Sequence, residues 1–416
     1  MTEPPAVRLL LVGDELLEGR TEDRNRRPLA RAVSGRGGTV EGIRFLPDRR
    51  SRLADEVAGA LADGMAVIVA GGLGPTDDDC TREAMAEALG VVLVDAPDAA
   101  GGRGGGEEAG GRRADRRDLQ ARIPAGARPL ENPHGTATAF GGRVEESWYL
   151  ALPGVPEELR ALLDGPAGRF LDGVLPGEGP PRRRIGIAGV AESAVARRLD
   201  ALSALDDVRV ASYPRRGVVD LQLTPASDAP DSREGDERLG AAAAAVRSAF
   251  GPDVYEEGDR RLVEVVEDGL RSSRATLAVA ESCTGGLLGG ELTSVPGSSD
   301  VFWGGAVAYA NRAKVALLDV DPEVLAAEGA VSEATARSMA RGIRRRAGTD
   351  WSVAITGVAG PGGGTPGRPV GTVWIAVDGP APAARRHGFP GDRAEVRERS
   401  VHASLDLLRR LLGDPA

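Results

Sequence analysis

Continuous apolar runs alternate with amphipathic stretches at both ends of this chain. In the first segment "VRLLLVG" and "MAVIVAGG" are apolar almost throughout, with "GTVEGIRFL" between them. The intervening "NRRPLARAVSGRGG" and "DRRSRLADEVAGALADG", and the following "TREAMAEALG", carry apolar residues at helical spacing. A strand that is apolar on both faces has to be covered on both faces, which crossover helices accomplish in a parallel sheet. The N-terminal segment therefore reads as an α/β domain with a parallel sheet, closed near residue 168 by the strand "SWYLALPG" and a helix from Pro156. A further alternating pattern starts near residue 259 and runs to the end.

Between the two, "RRRIGIAG", "AESAVARRLDALSAL", "VRVASYP", "VVDLQLTPA" and "RLGAAAAAVRSAFG" give strand, helix, two strands and helix. That order suits a small α+β domain, with "SDAPDSREGD" as a polar turn and no catalytic cluster. The expected domains are 1–168, 178–256 and 259–414. Residues 97–118, rich in glycine and arginine, read as a low-complexity loop.

With 416 residues there is chain enough for two to four domains. Aromatic residues make up 3%, so the cores have to be built from Ala, Val and Leu. The formal net charge of −10 argues against a nucleic-acid binder, which needs a basic footprint to displace counterions. Only Cys80 and Cys283 are present, which excludes a disulfide framework and a cysteine zinc cluster. The short N-terminal apolar run has no basic segment before it, and no stretch reaches the roughly 18 apolar residues of a membrane helix. The expectation is a cytoplasmic protein without membrane contact.

Two turns carry the chemistry. "GGLGPTDDDCT", residues 71–81, joins a buried strand to a helix, where glycine backbone and helix amides can approach a phosphate. Consecutive carboxylates beside an anion-binding loop make electrostatic sense when a divalent cation bridges them to a pyrophosphate. "VGDELLEG" puts Asp14 after the first strand, at the carboxyl edge where ligands of open α/β sheets bind.

The second turn is "AESCTGG", which places Ser282, Cys283 and Thr284 at a strand end, with Gly285 and Gly286 opening a helix. An exposed nucleophile on such a turn is a recurrent catalytic geometry. A cysteine nucleophile needs a partner such as histidine, and the chain has only His134, His387 and His402, none near it in sequence. A serine can instead be activated by a neutral lysine. Lys314, in "GGAVAYANRAK", is the only lysine in the chain, against 51 arginines. Arginine keeps its proton in a protein, whereas a desolvated lysine can lose it and act as a base. Neighbouring strand ends open onto one crevice, so Ser282, Tyr309 and Lys314 are expected to meet there.

Several motifs together resemble the CinA family of competence/damage-inducible proteins. "GDELLEG", "GGLGPTDDDCT", "QARIPAGARPLENPHGTATAF" and "LPGVPEEL" match its first domain, although "GTATAF" stands where the family usually has "GTAPGF". "AESCTGG", "VPGSSDVFWGGAVAYANRAK", "GAVSEATARSMARG", "AITGVAGPGGGTPGRPVGTVWIAV" and "GDRAEVRERSV" match its C-terminal domain.

The resemblance implies a molybdopterin-binding-like first domain with ADP-ribose pyrophosphatase activity. There Asp14, Asp78 and Asp79 would hold a divalent metal cation and the phosphates, Gly71, Gly72, Gly74 and Thr76 would line the loop, and Asn132, Gly135 and Thr136 would form a second one. It implies a nicotinamide-mononucleotide (NMN) deamidase at the C-terminus, with Ser282 as nucleophile, Lys314 and Tyr309 as base and proton relay, and no cofactor. Thr284, Gly285, Gly286, Asn311, Thr356, Gly357, Gly360, Arg393 and Arg397 would bind the substrate. The family tends to self-associate, so a homodimer is expected, and the C-terminal motifs are expected to suffice for activity as a fragment from about residue 257. The rival readings are a non-enzymatic competence or DNA-damage accessory protein, and a first domain that binds a molybdopterin-like ligand.

Overall fold

A computed structural model describes residues 5–76, 78–96, 121–177, 179, 181–226 and 232–413. The glycine- and arginine-rich stretch at 97–118 lies outside the described residues, as does Asp77. The chain forms two compact units, residues 1–180 and 181–416.

The first unit runs β1 (Ala6–Val12), α1 (Asp14–Leu17), α2 (Arg26–Ser34), β2 (Thr39–Leu46), α3 (Arg50–Ala62), β3 (Ala66–Ala70) and α4 (Thr81–Ala88). It continues with β4 (Leu93–Asp95), β5 (Arg122–Pro124), β6 (Arg128–Leu130), β7 (Ala139–Val144), β8 (Ser147–Leu152), α5 (Pro156–Asp164) and α6 (Pro166–Asp172). The sheet order is β2-β1-β3-β8-β7-β6. Its β2, β1, β3 and β8 are parallel, as the apolar runs require, while β7 and β6 add antiparallel strands at one edge. Alternate residues of β1 feed different cores: Leu9 and Leu11 pack with Ile68 and Leu150 on one face, Leu10 and Val12 with Val67 and Val69 on the other. Burial on both faces is what a continuous apolar strand demands.

The second unit begins with β9 (Arg183–Ala188), α7 (Glu192–Leu199), β10 (Val208–Arg215), β11 (Val218–Pro225), α8 (Ser232–Phe250) and β12 (Val254–Glu257). These strands form an antiparallel sheet in the order β10-β11-β9-β12. Two details differ from the sequence reading. Helix α8 starts at Ser232, so half of the expected polar turn is helical. The four-residue strand β12 is too short for its period to show in sequence.

The unit continues with α9 (Leu262–Ser272), β13 (Leu277–Glu281), α10 (Leu287–Thr293), β14 (Phe302–Val307), α11 (Asn311–Leu318), α12 (Pro322–Glu328), α13 (Glu333–Ala347), β15 (Trp351–Gly357), β16 (Thr372–Asp378), β17 (Ala383–Gly388) and α14 (Arg393–Gly413). The sheet order is β14-β13-β15-β16-β17, parallel over the first three strands and antiparallel over the last two. The reversal follows from the connection: no helix separates β15 from β16, and without a crossover a strand cannot return parallel.

The two halves of this unit share one core. Ala188, Val218 and Tyr255 of the small sheet pack in the same cluster as Val401, Leu405 and Leu408 of α14. Arg409 donates to the Pro252 carbonyl at 2.6 Å, and His402 Nδ1 lies 2.5 Å from the Arg216 carbonyl oxygen.

Candidate active site

β13 ends in Glu281, and the chain turns through Ser282–Gly286 into α10. Gly285 and Gly286 take φ of +60° and +97°, which L side chains rarely adopt, so the sharp turn depends on both glycines. The turn is pinned from inside. The buried Glu281 carboxylate accepts the N–H groups of Gly286, Leu288 and Gly289 at 3.0, 3.1 and 2.8 Å. The Ser282 N–H donates to the Ile355 carbonyl of β15 at 2.9 Å, which fixes the serine against the neighbouring strand. Glu281 has no role in the sequence reading.

Lys314 reaches this turn from the adjacent strand–helix connection, through α11. Its Nζ lies 2.9 Å from Ser282 Oγ, 3.0 Å from the Ala308 carbonyl and 3.2 Å from the Tyr309 carbonyl, and the residue is 1% exposed. Burial pushes the ammonium below its ordinary pKa, with the nearby Cys283 opposing the shift. A neutral amine has two hydrogens and one lone pair. Two carbonyls can take the hydrogens, which turns the lone pair toward the serine hydroxyl. That is the arrangement of a general base.

Of the other residues singled out by sequence, Tyr309, Arg393 and Arg397 bond into this neighbourhood, with one difference. Tyr309 directs its backbone carbonyl at Lys314, but the residue is 57% exposed and its phenol accepts from Arg393 Nη2 at 2.6 Å. The expected phenol relay between serine and lysine is therefore absent from this arrangement, because Arg393 holds the ring at the mouth. Arg393 also donates to the Gly360 carbonyl at 2.7 Å, and Arg397 to the Thr284 carbonyl at 2.8 Å. Thr356 Oγ1 donates to the Ala330 carbonyl at 2.7 Å, and Gly357 closes β15 opposite Val373. The Thr284 hydroxyl is fully buried and has no partner among the described residues. Asn311 opens α11 and is exposed.

The cysteine alternative loses its support. Burial pushes the Cys283 thiol up to about 11, so little thiolate forms at neutral pH. His387 stacks on Phe389 at 4.9 Å and His402 bonds the Arg216 carbonyl, so both imidazoles are engaged elsewhere.

In the first unit a cavity of about 520 Å³ opens at the carboxyl ends of β1 and β3. Gly71, Gly72, Gly74, Asp78, Asp79 and Thr136 line it, as the sequence suggested, together with Asn25, Asp48 and Glu158, which it did not. The acidic residues divide their work differently from the expected metal trio. Asp79 accepts from the Gly74 and Thr76 N–H groups at 2.8 and 2.9 Å and from the Thr76 hydroxyl, so it staples the glycine loop. The Asp14 N–H donates to Asp48 at 2.8 Å. Burial raises the Asp48 carboxyl above its ordinary value against the pull of that N–H, and the charges of Asp14, Glu15 and Asp78 add to the rise. Among the described residues no three His, Cys, Asp or Glu side chains group in a way that could hold a metal ion. Asn132 donates to Glu158 at 2.6 Å and to the Ala137 carbonyl at 3.1 Å, which shapes the loop carrying Gly135 and Thr136. No helix among the described residues is long and apolar enough to cross a membrane.

Fold and site together define a multidomain α/β protein whose last sheet presents a buried serine–lysine pair at its edge. Models of three families match the chain: a probable molybdopterin binding domain over residues 8–168, a damage-inducible protein CinA KH domain over 182–255, and a CinA C-terminal domain over 259–412. A CinA-like protein of Gemmatimonas aurantiaca is 41% identical over 417 residues, covering 97% of this chain and 96% of that protein. A putative competence-damage inducible protein of Moorella thermoacetica is 39% identical, covering 97% and 98%. Among solved structures, the competence/damage inducible protein CihA of Agrobacterium tumefaciens is 37% identical over 37% of this chain and 94% of its own, with a TM-score of 0.36. The chain belongs to the CinA family.

Proposed function

We propose that the C-terminal domain hydrolyses the carboxamide of nicotinamide mononucleotide to nicotinate mononucleotide and ammonia. The observation that carries this reading is the buried Lys314 Nζ at 2.9 Å from Ser282 Oγ. In the proposed reaction Ser282 Oγ attacks the carboxamide carbon and its proton passes to Lys314. The lysine returns that proton to the departing nitrogen, so ammonia leaves and an acyl ester remains on Ser282. Water then attacks the ester with Lys314 again taking the proton, which it returns to Ser282 Oγ as the acyl–oxygen bond breaks, and nicotinate mononucleotide is released. Arg393 and Arg397 stand at the mouth, where a guanidinium suits the substrate phosphate. The Thr284 hydroxyl, buried and without a partner among the described residues, is left available to the reacting group.

For the first unit we propose hydrolysis of ADP-ribose to AMP and ribose 5-phosphate. The cavity of about 520 Å³ between the glycine loop and the Asp48–Asp78 side supports it. A magnesium-type ion keeps several waters and takes one or two carboxylates plus substrate phosphates, so it does not need a preformed cage. Asp48 and Asp78 are the carboxylates that would hold it, and its charge would offset the repulsion between acid residues and pyrophosphate. A homodimer is part of the proposal, supported by the edge strand β14, where Trp303 and Val307 are 60% and 50% exposed.

One experiment tests both halves: incubate the purified chain with NMN and with ADP-ribose, with and without EDTA, and identify the products. Nicotinate mononucleotide should form under both conditions, and AMP only without chelator. A chain that turns over neither substrate would favour the accessory-protein reading. Tight retention of a pterin without ADP-ribose cleavage would favour the molybdopterin-like one.

A further inference from the structure

A second cavity, of about 640 Å³, lies in the C-terminal domain behind the loop that joins α12 to α13. Four arginines line it: Arg337 and Arg341 on α13, Arg368 before β16 and Arg386 on β17. Here only Arg337 has a carboxylate partner, Glu333 at 2.8 Å. Among the described residues, Arg341, Arg368 and Arg386 form no ion pair. Three like charges around one concavity repel one another; of the two carboxylates in the wall, Glu333 is taken by Arg337 and Glu328 forms no ion pair among the described residues, so the wall stays net positive.

These guanidiniums are nevertheless held in place by backbone carbonyls. Arg341 Nε donates to the Arg337 carbonyl at 3.4 Å, Arg368 Nη2 to the Glu328 carbonyl at 2.5 Å and Arg386 Nη2 to the Gly367 carbonyl at 3.2 Å. Gly329 makes room for one of them. Its φ is +75°, and a Cβ there would lie 2.4 Å from Arg368 Nη1. Each tether leaves further N–H groups of the fork to face an anion, and a fork matches phosphate oxygens two at a time.

Trp374, half-buried on β16, also lines the cavity, and its indole offers an aromatic face beside the charges. A cavity of this size suits a small molecule. Guanidiniums for phosphate and an indole for a flat base are together the chemistry of nucleotide recognition. The site is one loop away from the serine–lysine centre, because the Ala330 carbonyl of that loop holds the Thr356 hydroxyl.

We infer that this cavity is a second nucleotide site of the C-terminal domain, taking the phosphates of a nucleoside diphosphate on Arg341, Arg368 and Arg386 and its base on Trp374. It is separate from the Ser282 centre and does not depend on what that centre hydrolyses. The test is a titration of the full chain with ADP, read by tryptophan fluorescence and by calorimetry. The chain has four tryptophans, and subtracting a Trp374→Phe titration isolates the emission of Trp374. ADP should quench that emission, and inorganic pyrophosphate should displace ADP but bind more weakly. Arg341→Glu with Arg386→Glu should weaken this binding step about tenfold or more per guanidinium removed, with NMN turnover unchanged. Unchanged Trp374 emission, or calorimetry in which the double variant retains every parental ADP step, would overturn the site. Equal affinity for pyrophosphate and ADP would overturn the nucleotide assignment. A double variant that instead changes from dimer to monomer in sedimentation would mean the arginines face a second copy, which also overturns it.

Discussion

Lys314 Nζ sits 2.9 Å from Ser282 Oγ although the two residues are 32 positions apart in sequence, on neighbouring strand–helix connections of one sheet. The β13–β14 register brings them together: Glu281 stands opposite Val307, so the two strand ends finish at the same level.

Replacement of Lys314 by arginine should retain a long basic side chain at the site and still abolish most deamidation. Arginine cannot accept the serine proton near neutral pH, and general-base catalysis is worth roughly 100- to 10,000-fold. Ser282→Ala combined with Lys314→Arg should be scarcely worse than either single change, because the pair acts as a unit. Ammonia release measures all three. Cys283→Ala should retain substantial turnover; were it the dead variant, the thiol and not the hydroxyl would be the nucleophile.

The pH profile should carry the lysine's signature. Burial lowers the Lys314 pKa, so the base form exists at pH values where an exposed lysine is still charged. The kcat/KM should therefore rise with pH through that lowered value, with the acid limb below the ordinary lysine range. Stability should follow the same sign. The unfolded chain binds this proton more tightly than the folded one, so folding strengthens as pH rises between the two values. An acid limb at about 10.4 or above would contradict a desolvated base.

Glu281→Gln should damage the turn without touching the substrate. The amide offers one acceptor oxygen and one donor to three N–H groups that now share a carboxylate. Lost charge-assisted bonds should cost about 1–3 kcal/mol of stability, read by denaturant unfolding. The kcat for NMN should fall more than KM rises, because Ser282 and not the phosphate grip is misplaced. Parental kcat in a folded variant would show that the turn holds itself.

A fragment covering 182–416 should be markedly more stable than one covering 259–416. The shorter piece removes Ala188, Val218 and Tyr255 from the core they share with α14 and strips the carbonyl partners of Arg409. Its melting temperature should lie at least about 5 °C lower. The motifs alone suggested that a start near 257 suffices; equal melting points would restore that view.

Local chemistry leaves a mark in this sequence that long-range chemistry does not. Apolar runs placed β1, β3 and β13 because burial on both faces leaves a continuous signature. The serine–lysine pair was legible because a lone lysine among arginines marks a position where proton loss matters. The phenol of Tyr309 was not, since its direction is set by Arg393, which is 84 residues further on. Asp79 read as a metal ligand because its neighbours are acids, while its actual partners are backbone N–H groups of its own loop. The arginine cavity was invisible for a related reason: its four side chains come from a helix, a loop and a strand, and each reads singly as a solvated surface residue.

That Lys314 is the chain's only lysine has a spectroscopic consequence. Protein grown on lysine labelled with ¹⁵N at the side chain carries one such nitrogen per molecule, so its resonance needs no assignment. Titrating that signal would report the protonation of one amine directly, free of overlap, in the intact protein. Adding a nucleotide during the same titration would show whether an occupant elsewhere in the domain is felt at the serine.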